Sequence, residues 1–128
     1  MRGPRPPRDN RMTRYRVFSG YTLIGHSELE CGDPPQSIAS GRFFPLASYS
    51  AVQVQCIAAR HLPQEHLDLS VIRPNGERLP AHLGVFIADY SGELGEIEVY
   101  VLGVGYPLYE ELFPHHVAAY KKQFGQAP

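Results

Sequence analysis

Polar and hydrophobic positions alternate in short runs along most of this chain, and the period changes to a helical one in two places. Residues 14–18 form the first strand-like run, with Tyr15 and Val17 on one face. Ser19-Gly20 supplies a turn, and residues 21–24 resume the extended pattern. Gly25 interrupts it as a bulge would. Residues 26–31 then alternate, with His26, Glu28 and Glu30 on one face and Ser27, Leu29 and Cys31 on the other. Gly32-Asp33-Pro34-Pro35 breaks the run, and residues 38–44 give a further strand that ends at Pro45.

The period changes after residue 48. Tyr49, Val52, Cys56 and Ala59 follow helical spacing, which predicts a helix over residues 49–60 with Ser48 as its N-cap. Alternation returns at residues 67–72. Arg73-Pro74-Asn75-Gly76 is the clearest turn signal, because proline presets one position and Asn-Gly tolerates positive φ. Residues 77–79 should run back beside 67–72. The runs 85–90 and 97–102 are apolar and rich in β-formers, and the short link between them predicts an antiparallel hairpin. Ile97, Val99 and Val101 line one face of the second run. Tyr100 and Leu102 keep the other face mostly apolar, so this strand belongs in the middle of a sheet with both faces covered. Two helical segments close the chain, 108–113 behind Pro107 and 115–124 before Gly125.

These elements predict an α+β fold. It is a mostly antiparallel sheet of about five to seven strands, with one central helix and one or two C-terminal helices packed against it. A length of 128 residues fits one domain over residues 13–128. Residues 1–12 read instead as a disordered basic arm, with prolines and no apolar face to bury.

Charge sharpens that division. Arg2, Arg5, Arg8, Arg11, Arg14 and Arg16 supply half of the 12 basic residues, opposed locally by Asp9 alone. Residues 17–128 hold six basic against 12 acidic residues, so the body is acidic and the arm basic. No apolar run reaches the length of a membrane span, and no apolar stretch follows the N-terminal charges as a signal peptide requires. Cys31 and Cys56 form no CxxC pair and read as reduced thiols, which points to the cytoplasm.

The candidate chemistry is sparse. Gly103-Val104-Gly105 lacks the third small residue and the βαβ unit of a dinucleotide site, and no phosphate-binding GKS or GKT loop occurs. His115 and His116 are adjacent, so on a helix they point about 100° apart. His26, Glu28 and Glu30 on one strand face can form a polar ligand or divalent-ion site, with Arg42 as an anion anchor. A solvated strand face is the simpler account of the same residues. No cofactor and no resident metal is expected, and no motif shows whether the chain is an enzyme. The arm can neutralise phosphates, but it has no aromatic interleaving and the acidic body opposes it, so nucleic acid is the weaker partner class. Tyr106, Tyr109, Glu110 and Glu111 place aromatics beside acids, which suits a protein-binding surface or a helix that closes the core. The leading expectation is a non-enzymatic protein-interaction or regulatory module of immunity- or antitoxin-like kind, with a protein partner or a second copy of itself and no membrane. A small enzyme or ligand-binding protein around His26, Glu28, Glu30 and Arg42 is the alternative, and nucleic-acid binding through the arm the third.

Overall fold

The computed structural model describes residues 14–59 and 63–125. The expected arm, and Arg60 at the end of the expected central helix, lie outside them. Among the described residues, eight strands form two antiparallel sheets of four. The first sheet has the order β5-β2-β1-β6, from β1 (Tyr15–Ser19), β2 (Thr22–Ser27), β5 (Phe44–Pro45) and β6 (Leu69–Ile72). The second has the order β3-β4-β8-β7, from β3 (Cys31–Asp33), β4 (Ile38–Arg42), β7 (Gly84–Tyr90) and β8 (Glu96–Leu102). The described residues also form three α-helices: α1 (Gln53–Ala58), α2 (Leu108–Leu112) and α3 (Pro114–Phe124). The class is the expected α+β, but its strands divide into two sheets where one curved sheet was expected.

Two corners cause the division. After Ser27 the chain turns through Leu29, a non-glycine residue at φ 47°. The buried Ser27 hydroxyl accepts the Leu29 N–H at 3.1 Å, and the His116 Nε2 lies 2.9 Å from the Leu29 carbonyl oxygen. β3 therefore starts in the other sheet, and the expected run 26–31 is not one strand. The second corner is Phe43, between β4 and β5. Its amide still bonds the Ile97 carbonyl at 2.8 Å. Leu29 and Phe43 are both buried in the common core, and at Leu29 that apolar burial offsets the cost of its left-handed backbone.

The first hairpin carries the expected irregularity. The β1–β2 register shifts between Val17 and Phe18, opposite Gly25 and Leu23. A Cβ on Gly25 would lie 2.7 Å from the Phe44 carbonyl oxygen and clash with the edge of the Phe43 ring, so only glycine lets the second corner close here. The Arg73–Gly76 turn forms as expected, with Gly76 at φ 93° and its amide on the Arg73 carbonyl at 2.8 Å. The returning residues pair through an Ile72–Arg78 bridge and a Leu79 N–H to Val71 carbonyl bond of 2.8 Å.

The central helix is shorter than expected. A 3₁₀ turn over Ala47–Ala51 precedes α1, and Ser48 donates to the Leu23 carbonyl instead of capping a helix. α1 packs against β7 and α3 against β3. Gly32 admits α3, since a Cβ there would come within 2.7 Å of the His116 ring.

β8 is an inner strand between β4 and β7, and Val99 and Val101 are fully buried. Shortening Val99 to alanine is expected to cost about 2 kcal/mol, from lost burial and an imperfectly collapsed cavity. Chemical denaturation measures it, and a loss below about 0.5 kcal/mol would show a core that closes around the gap. The other face of β8 is less covered than a central strand requires: Glu98, Tyr100 and Leu102 are only half-buried.

Candidate functional site

The half-buried face of β7 and β8 forms the floor of the larger groove. Strand register places Leu102 opposite Gly84, Tyr100 opposite Phe86 and Glu98 opposite Ala88. Alternation sends these pairs away from the Val99 core. The Phe86 and Tyr100 rings stack with centroids 4.7 Å apart and planes 7° from parallel. Leu83, 75% exposed, stands at one end. The segment Pro63–Asp68 forms a wall beside β7, and Glu65 and Asp68 add two exposed carboxylates to the lining. The groove holds about 830 Å³.

Gln64 fastens that wall to the sheet. β7 is an edge strand. The Ile87 N–H donates to Gln64 Oε1 at 2.9 Å, and Gln64 Nε2 donates to the Ile87 carbonyl at 2.9 Å and the Ala59 carbonyl at 3.0 Å. The side-chain amide thus occupies both backbone groups that Ile87 presents at the open edge, and Gln64 is only 3% exposed.

A second, smaller hollow of about 400 Å³ is lined by Glu28, Glu30, Arg42, Phe44, Glu96 and Glu98. Three of the residues singled out in the sequence meet here. The Arg42 guanidinium lies 3.1 Å from Glu96, with both side chains about half exposed. The Arg42 amide donates to Glu30 Oε2 at 2.8 Å. The Tyr100 hydroxyl lies 3.3 Å from Glu98, which joins this hollow to the aromatic floor. An ion pair so open to water is worth at most about 1 kcal/mol, and four carboxylates around one guanidinium leave the hollow acidic. Among the described residues no group of three His, Cys, Asp or Glu side chains is arranged to hold a metal ion.

His26 does not join them. It lies opposite Arg16 in β1 and Phe44 in β5, in the first sheet. Burial, and the charges of Arg14 and Arg16, push its imidazole pKa down. The tyrosine cluster divides in a similar way. Tyr109 is fully buried, and its hydroxyl donates to the Ile38 carbonyl at 2.7 Å. Tyr106 stacks on it at 5.4 Å, keeps 46% of its surface exposed, and lies 3.1 Å from the Pro34 carbonyl oxygen. Glu110 and Glu111 are exposed on α2. Tyr109 therefore packs in the core, while Tyr106, Glu110 and Glu111 stay exposed beside it.

Two buried polar centres, at Asp89 and His116, lie outside the lining of both hollows. Asp89 is 1% exposed and accepts bonds from the Tyr49 hydroxyl at 2.7 Å, Gln53 at 3.2 Å, and the Ser91 hydroxyl and amide at 2.6 and 2.9 Å. Burial alone would raise its carboxyl pKa, but the donors from Ser91, Tyr49 and Gln53 outweigh that and hold it below the ordinary carboxylate range. His116 is 6% exposed and stacks on Phe113. Burial pushes its pKa down, the Leu29 carbonyl pulls it back up, and His115 again lowers it. Both thiols are pushed up as well, Cys56 by burial and Cys31 by burial followed by Glu30 and Glu98. Neither thiol has the lowered pKa of a nucleophile.

No family model, no curated protein and no solved structure matches the chain. No helix among the described residues is long and apolar enough to cross a membrane.

Proposed function

We propose that this protein is a non-enzymatic interaction module, of the regulatory kind expected for an immunity- or antitoxin-like protein, and that it seats an apolar, basic segment of a protein partner on the outer face of β7 and β8. The observation that carries the reading is the groove itself. Its floor is aromatic and aliphatic, its wall bears Glu65 and Asp68, and the acidic hollow around Glu96 and Glu98 adjoins it through Tyr100. Half-exposed stacked aromatics gain more from being covered than isolated surface residues do. Carboxylates at the margin select for lysine and arginine and speed the encounter.

Binding of short synthetic peptides tests this. An arginine-flanked apolar peptide is expected to bind the full chain, and its glutamate-flanked counterpart to bind far more weakly. Leu83→Ser and Glu65→Lys change exposed positions and should leave the fold intact. Each is expected to weaken the arginine peptide by about tenfold. Equal binding of both peptides, or unchanged affinity in both variants, would overturn the reading.

A further inference from the structure

We infer that the partner segment seated on this face is an amphipathic α-helix and not an added β-strand. This rests on the docking reading above and narrows it to one partner class. A strand adds to a sheet by taking the free N–H and C=O groups of an edge. At Ile87 in the middle of β7 both groups are already held by the Gln64 side chain, which is itself anchored to the Ala59 carbonyl. An incoming strand would have to displace this buried amide and break its three hydrogen bonds at once.

The floor excludes an extended segment for a related reason. Phe86, Ala88, Tyr100 and Leu102 project from the face of a sheet whose β8 backbone is paired on both sides. An extended chain lying there would cover its own amides and carbonyls with apolar side chains. A helix satisfies its backbone internally and presents a stripe of apolar side chains, so nothing polar is stranded. The lengths agree. Seven residues of β7 span about 23 Å, which about 15 residues of helix match. With Glu65 and Asp68 along one wall, the helix should carry its lysines or arginines on one flank of the apolar stripe.

Two peptides of identical leucine, alanine and arginine composition separate the modes. One has its leucines at helical spacing, and in the other leucine alternates with alanine or arginine. Each is titrated into the full chain, with affinity, far-UV circular dichroism and hydrogen exchange at the Ile87 amide as readouts. The helical-period peptide is expected to bind at least about tenfold tighter, to gain helix on binding, and to leave the Ile87 amide protected. An alternating peptide that binds as tightly or tighter at this face would overturn the helix and leave the docking face standing. Increased exchange at Ile87 in the complex would overturn it too. Failure of both peptides to bind would overturn the helix and the docking face together.

Discussion

Replacing Tyr109 with alanine is expected to lower the unfolding free energy by about 3–5 kcal/mol, the range found when a large buried aromatic is removed. The residue is fully buried where α2 meets the second sheet. Its ring lies 5.2 Å from Phe113 and 5.4 Å from Tyr106, and its hydroxyl donates to the Ile38 carbonyl. Desolvation of that hydroxyl pushes its pKa well up, so it stays a donor across the working pH range. Tyr109→Phe keeps the ring and loses one hydrogen bond, so about 1 kcal/mol is expected. Urea denaturation of both variants separates packing from hydrogen bonding. An alanine variant within about 1 kcal/mol of the parent would mean that α2 is not part of the core.

Asp89→Ala is expected to cost about 3 kcal/mol. The substitution removes the acceptor of four hydrogen bonds and takes from the buried Tyr49 hydroxyl its carboxylate acceptor. The same site gives a pH dependence with a definite sign. The folded state holds the Asp89 carboxyl below its ordinary value, so the unfolded chain takes up the proton first as pH falls. Its contribution is present above the unfolded pKa of about 3.9 and is lost as pH falls through the lower folded value. Asp89→Asn should remove that part of the acid sensitivity. A variant whose stability falls as steeply below pH ~4 as the parent's would show that Asp89 is not the group responsible.

Much of the fold could be read from pattern. The hairpin of β7 and β8 was legible because both runs are long, β-rich and separated by a short polar link. The turn at Arg73–Gly76 was legible because its chemistry is local. The division into two sheets was not. It depends on Leu29 adopting a left-handed conformation, and leucine gives no sign of that in sequence. The alternation of residues 26–31 looked continuous for the same reason, so His26 was grouped with Glu28 and Glu30 although the corner separates them.

The candidate site was only partly legible. Glu28, Glu30 and Arg42 line one hollow, together with Glu96 and Glu98 from a strand more than fifty residues away. The larger groove was missed. The pattern at Tyr100 and Leu102 predicts a covered face, because a strand apolar on both faces is normally buried on both. The same pattern fits a face that awaits a partner, and sequence cannot distinguish the two. Gln64 carried no signal either, since its role depends on lying beside Ile87, 23 positions later.

The central claim is that the outer face of β7 and β8 is a docking surface. Its most direct test is an NMR titration of the full chain with the arginine-flanked helical peptide, following side-chain signals. The largest shifts are expected at Leu83, Phe86, Tyr100 and Leu102, weakening as salt is raised. Shifts confined to Arg16 and His26 on the first sheet, or to Arg42 in the acidic hollow, with these four residues unmoved, would contradict it.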